Sequence, residues 1–210
     1  MAACFCAEFP AHPGNVISGT NSIKMRVMAF LKLLLVIFLL GLFLMSFSQQ
    51  GDWRTASRES AGIAPDPADT SDAVLHVYGA DAWGWRGWFA IHTWVAAKRK
   101  DEDFYTLYDV VGWRGFNQQP VMGINRGIPD RYWYGARPRL LKAHRGKGAE
   151  ALIEAVDVAA RSYPWKKTYK AFPGPNSNTF TAWIAQQVPA LGLELPFSAI
   201  GSGYVGQGSH

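Results

Sequence analysis

Four small polar residues, Asn176-Ser177-Asn178-Thr179, stand between the turn Gly174-Pro175 and the amphipathic stretch that begins at Phe180. Each of the four can cap a helix, because a short side chain with an oxygen accepts a hydrogen bond from an unpaired first-turn amide. A cap alone needs only one such residue. The other reading is chemical: at Ser177 a hydroxyl would sit where first-turn amides and the helix dipole stabilise developing negative charge. A serine hydroxyl needs an adjacent base to become nucleophilic near neutral pH. His92 is the candidate base, and Tyr108 or Asp109 on the neighbouring strand could orient its ring. In this reading Ser177 attacks, His92 takes the proton and Asp109 orients the imidazole. The amides of Asn178 and Thr179 hold an oxyanion, and Asn176 polarises the carbonyl. The bond broken or transferred would be an amide, ester or thioester.

Other chemistries find less support. Both cysteines, Cys4 and Cys6, lie in the first residues, ahead of the apolar stretch, so the remainder has neither a thiolate nor a disulfide. His76, His144 and His210 lack metal-ligand spacing with any carboxylate, and no metal site or other cofactor is expected. The glycines form neither a P-loop nor a dinucleotide fingerprint. A formal charge of +5 raises the question of nucleic acid, but Lys and Arg are scattered, and no nucleic-acid partner is expected.

The elements that must position these residues follow from periodicity. "AVLHVYGADA" and "WRGWFAIHTWVAAK" are rich in β-formers, and in the second Phe89, Ile91, Thr93 and Val95 alternate with Ala90, His92, Trp94 and Ala96. His92 therefore shares a pleat face with Trp94 and Ala96. Lys98 to Asp103 reads as a hairpin loop and "FYTLYDVVGW" as the partner strand. The chain is turn-rich after Gly112, and "RYWYGARPRLL" reads as a further strand. "AEALIEAVDVAARS" has its apolar residues at helical spacing, and a second helix is expected from about Thr179 to Gln187, burying Phe180, Trp183, Ile184 and Val188 before Pro189 stops it. The fold class expected is α+β, a small antiparallel sheet packed with helices. The glycine- and serine-rich tail is expected to be irregular, with "PFSAIGSGY" packed on the domain.

Val27 to Phe47 is apolar apart from Lys32 and is long enough to cross a bilayer. Lys24, Arg26 and Lys32 flank its amino end, whereas the first charge beyond it is Asp52. The positive-inside rule then keeps the N-terminus cytoplasmic and exports the rest, giving a single-pass inner-membrane protein with a periplasmic domain. A signal peptide cleaved near Ser46-Phe47-Ser48 is the rival reading. The expected organisation is a leader at 1–24, with translation starting at Met25 as an alternative, then an anchor or signal at 25–47 that meets the lipid bilayer through 27–47. A linker at 48–72 and a domain at 73–204 complete it.

"WGWRGWFAIHTWVAAK", "YDVVGW", "PDRYWYG" and "FPGPNSNTFTAWIAQQVP" together resemble a bacterial family catalogued as domain of unknown function 3750, over nearly all of 52–204. More distantly, a strand histidine, a second strand with a polar residue and a late "N-C-N-x-F" helix start are similar to the circularly permuted papain-like fold. That group includes NlpC-type amidases, lecithin:retinol acyltransferase relatives and PPPDE isopeptidases. The resemblance implies His92 as the family's histidine, Asp109 or Tyr108 as its orienting residue and Ser177 in place of its cysteine. Serine is the poorer nucleophile. Two functions follow: a serine-dependent hydrolase or acyltransferase acting on a cell-envelope peptide, peptidoglycan stem or lipid, or a non-catalytic envelope-binding domain using the same groove and its aromatic rim.

Overall fold

The computed structural model describes residues 18–48 and 52–207. Most of the expected leader, including Cys4 and Cys6, lies outside them. The chain divides into two units, Met1–Gln49 and Gln50–His210. Among the described residues the first contains the helix α1 (Ser18–Ser48). Within it Ile23–Phe43, 21 residues with mean hydropathy 2.4, is long and apolar enough to span a membrane. The helix starts before the expected Val27, because Lys24 and Arg26 are good helix formers and continue it toward the N-terminus.

The second unit is a mixed helix and sheet fold. Its five strands are β1 (Val74–Asp81), β2 (Ile91–Lys98), β3 (Thr106–Val110), β4 (Met122–Arg126) and β5 (Arg139–Arg145). They form one antiparallel sheet in the order β4-β3-β2-β1-β5. Strands β1 to β4 follow as successive neighbours, and the chain then crosses to the far edge to add β5. The β2–β3 hairpin matches the sequence reading. Two details differ from it. Gly84–Trp88 forms a 3₁₀ helix, so β2 begins at Ile91 and Phe89 lies outside the strand. The turn-rich region also contains β4, a short edge strand whose Gly123 carries no β-strand signal.

Alternation along the strands builds two apolar layers. Leu75, Val77, Val95, Ala97, Tyr108 and Val110 face α2 (Ala149–Arg161) and α3 (Ser177–Gln187), which contribute Ile153, Val156, Ala160, Phe180 and Ile184. Phe180 and Ile184 are fully buried, and each contributes about 2–3 kcal/mol through removal of its apolar surface from water. The Trp183 indole N–H donates to the Ala159 carbonyl at 2.8 Å and ties α3 to α2. On the other face Val74, Tyr78, Ala80, Trp94, Ala96 and Leu107 form a second cluster, covered by Trp133.

Residues 52–72, read from sequence as a linker, lie against this second layer. Asp130, wholly buried, accepts hydrogen bonds from the Ile63 amide at 2.5 Å, the Ala64 amide at 3.1 Å and the Ser60 hydroxyl at 2.8 Å. Tyr105 donates its hydroxyl hydrogen to the Pro65 carbonyl at 3.1 Å. Buried amides must find acceptors, and the Asp130 carboxylate provides one for the Ile63 and Ala64 amides at the centre of the strap.

Candidate functional site

At the start of α3 the polar run is a capping and docking network. Asn176 is the N-cap: its side-chain oxygen accepts from the amides of Asn178 at 2.9 Å and Thr179 at 3.1 Å, and the Asn176 amide donates to the Thr179 hydroxyl at 3.1 Å. The two amides expected to stabilise an oxyanion are thus taken by a neighbouring side chain. The remaining polar atoms face inward. Asn176 Nδ2 donates to the carbonyls of Ala171 and Ile200, Asn178 Nδ2 donates to those of Ile91 and Ile200, and the Thr179 hydroxyl donates to Gly201 at 2.7 Å. Thr93 Oγ1 donates to Asn178 Oδ1 at 2.9 Å. Thr181 donates to the Ser177 carbonyl at 3.1 Å, so Ser177 joins the network through its backbone. Gly201 makes the close approach feasible, since its φ is +94° and a Cβ there would collide with the Asn176 amide group.

His92 lies on the other side of the sheet. Thr93 reaches α3, and consecutive strand side chains point to opposite faces. The His92 ring stacks flat on Trp133 and also on Trp94. No hydrogen bond joins it to Ser177, and its buried Nε2 has no partner among the described residues. Burial, helped by the nearby Arg131 and Arg114 charges, holds the imidazole well below its ordinary pKa and so keeps it neutral. Asp109 does not orient this ring. Its two oxygens are bound by Arg114 Nη1 at 2.7 Å and Arg131 Nη2 at 2.8 Å. Tyr108 points to the helix-covered face and donates to Asp157 at 3.1 Å. The structure therefore brings Asn176, Ser177, Asn178 and Thr179 together, and separates them from His92 and Asp109.

Asp109 belongs to a different constellation. A cavity of about 140 Å³ is lined by Arg58, Asp109, Trp113, Arg114, Arg131 and the aromatic run Tyr132-Trp133-Tyr134, with Val111. Its walls are interlocked rings: Trp113 stacks on Trp133 at 5.6 Å, and Tyr134 meets both edge to face. Arg58 lies over the Tyr134 ring at 4.2 Å, and Arg131 lies over Trp94 at 5.4 Å. Three guanidinium groups face one carboxylate, which leaves excess positive charge in an aromatic enclosure. Arg131 Nη1 is buried and has no partner among the described residues.

Local sequence builds this pocket. Trp133 and Ala136 exchange backbone hydrogen bonds at 2.9 and 3.1 Å around Tyr134 and Gly135, whose φ angles are +49° and +88°. Two positive φ values are what a tight type I′ hairpin turn requires. A bulky residue in that conformation costs on the order of 1 kcal/mol, so the Tyr134 ring is held there by its packing. Gly123, paired with Asp109 across the β3–β4 ladder, lacks the Cβ that would collide with the Arg114 guanidinium. Arg58, Arg114 and Arg131 were not singled out by sequence, because they are separated along the chain and form no motif. The closest signal was the density of aromatics around "RYWYG".

Comparison with curated proteins and with solved structures finds no match. A family model does match, over the strands, both helices of the second unit and the pocket residues from Asp109 to Tyr134. The chain belongs to the family described as protein of unknown function (DUF3750), whose model covers residues 72–204.

Proposed function

We propose that this chain is a membrane-tethered, non-catalytic binding domain whose site is the arginine and tryptophan pocket, with an anionic group, carboxylate or phosphate, as ligand. The supporting observation is Arg131: one arm is fixed on Asp109, while Nη1 remains a buried donor without an acceptor. An unpaired buried donor is costly, and an anionic oxygen in the adjacent cavity would satisfy it with a charge-assisted bond. Trp113, Trp133 and Tyr134 would pack the apolar part of the same ligand. Envelope peptides, peptidoglycan stems and phospholipids carry such groups, and the charges flanking α1 favour the exported, periplasmic side of the inner membrane.

The sequence resemblance to papain-like amidases would support hydrolysis or acyl transfer only with Ser177 and His92 side by side. Those need a hydroxyl and an imidazole in hydrogen-bond reach. The binding pocket also lies on the sheet face opposite the helix start, so it is a different groove from the one a papain-like enzyme would use.

The test is a titration of the full chain in detergent with inorganic phosphate and with acetate, followed by tryptophan fluorescence. A saturable change in the parent that is lost in Arg131→Met is the expected result. Identical responses from both proteins would overturn the assignment.

A further inference from the structure

The loops at one end of the sheet hold most of the exposed aromatic surface of the second unit. Strand pairing places them together: Asp81 pairs with Ile91 and Val110 with Met122, so the β1–β2 and β3–β4 connections leave the sheet at the same end. Two other segments join them. Lys166 accepts from the Met122 amide, a methyl group on Gly112 would strike the Tyr169 ring, and Ile91 donates to the Ser198 carbonyl at 3.0 Å. The Ala171 and Ile200 carbonyls share the Asn176 side chain as donor.

On this end Trp85, Trp88 and Phe89 are each about half exposed. Phe116, Phe172 and Phe197 are 89%, 78% and 98% exposed, one from each of the other three segments. Segments 82–90, 111–121, 164–175 and 195–201 contain five Lys or Arg residues and no Asp or Glu. Apolar side chains held out in water on several converging loops mark an interaction surface. Trp and Phe tips set among cations match one partner in particular, the interfacial layer of a bilayer containing anionic lipid. A protein partner would not require the charges of these segments that form no ion pair among the described residues, Arg86, Lys166, Lys167 and Lys170, to have the same sign, Arg114 being held by Asp109.

We infer that this end of the domain docks on an anionic phospholipid surface, inserting Phe116, Phe172 and Phe197 among the headgroups while Lys166, Lys167 and Lys170 meet phosphates. The inference is independent of what the pocket binds. It gives the domain a membrane contact in addition to any made by α1.

The tryptophans themselves provide the readout, since α1 contains none. Full-length chain carrying Trp53→Phe, which removes the tryptophan nearest α1 in sequence, is reconstituted into vesicles of phosphatidylcholine and phosphatidylglycerol with brominated acyl chains. Bromine quenches tryptophans that reach the bilayer. Strong quenching is expected, reduced severalfold in a Phe116→Asp, Phe172→Asp, Phe197→Asp variant and in a Lys166→Glu, Lys167→Glu, Lys170→Glu variant. It should also fall when phosphatidylglycerol is omitted. The aromatic positions are so exposed that their replacement leaves the core intact, which unchanged near-ultraviolet circular dichroism would verify. Equal quenching in all three proteins would overturn the inference. So would absent quenching with cross-links between copies through these loops, which would assign the surface to a second copy of the chain.

Discussion

The imidazole of His92 lies face to face with the indole of Trp133, with ring centroids 3.5 Å apart and planes 5° from parallel. Trp133 occupies the sheet face opposite α3, so this stack fixes the side on which His92 resides. A neutral ring suits the position, because protonation would place a charge in an apolar layer already flanked by Arg131 and Arg114.

The stack predicts an acid-sensitive fold. The folded-state pKa of His92 is depressed, so the unfolded chain binds the proton more readily, and stability is full above imidazole's ordinary value and lost as pH falls below it. The slope should be about 1.4 kcal/mol per pH unit below about pH 6.5 for this one group. His76, also lowered chiefly by burial, adds to it. Replacing His92 by Phe keeps the ring on Trp133 and deletes a nitrogen that has no partner. Urea denaturation as a function of pH should show His92→Phe as stable as the parent at pH 7.5 and with a shallower acid limb.

The α3 network separates a structural role from a catalytic one. Asn178→Ala takes the side-chain donor from the Ile91 and Ile200 carbonyls and one of the partners from the Thr93 hydroxyl, and should cost about 2–4 kcal/mol. Ser177→Ala removes a hydroxyl that makes no hydrogen bond among the described residues and should change stability by less than about 0.5 kcal/mol. A serine-directed fluorophosphonate should label the parent and Ser177→Ala equally. Ser177-dependent labelling would restore the hydrolase reading.

Gly201 tests the same joint from the other side. Its positive φ and its contact with the Asn176 side chain make Gly201→Ala doubly unfavourable, through backbone strain and collision, with an expected loss of about 2–4 kcal/mol. Gly203, which has open space around a Cβ, is the matched control and should lower the thermal midpoint far less when changed to Ala.

The pocket charges should behave as a unit. A valine at Gly123 would displace the Arg114 guanidinium from Asp109, leaving that buried carboxylate with Arg131 alone. The expected loss is about 1–3 kcal/mol in stability, with weaker phosphate or acetate binding. Asp109→Asn should be worse for folding, because two partly buried guanidinium groups then face each other without a counter-charge. Denaturation and the fluorescence titration on the same samples would separate the two effects.

The carboxylate of Asp130 anchors the strap at residues 52–72. Asp130→Ala should release it, at about 2–4 kcal/mol for three lost hydrogen bonds to a buried charge. Trypsin should then cut after Arg58, which is exposed but packed over the Tyr134 ring in the parent, faster than it does in the parent.

Period-two alternation placed His92 with Trp94, and a period near 3.6 placed Phe180 and Ile184 on one side of α3, because backbone geometry dictates which neighbours share a face. The length and apolarity of Ile23–Phe43 were likewise local properties, readable without a fold. Four polar residues at a helix start announced a cap for the same reason. Which face of the sheet α3 would choose was not local: it depends on Thr93 meeting Asn178 across 85 positions of chain. That choice put Ser177 and His92 on opposite sides. Asp109 found Arg114 and Arg131 rather than His92 because the crossing segment before β5 brings Arg131 over the sheet, and guanidinium groups pair with a buried carboxylate more strongly than a neutral imidazole does. Side-chain character and spacing settle the elements, whereas long-range pairing of the elements decides which side chains meet.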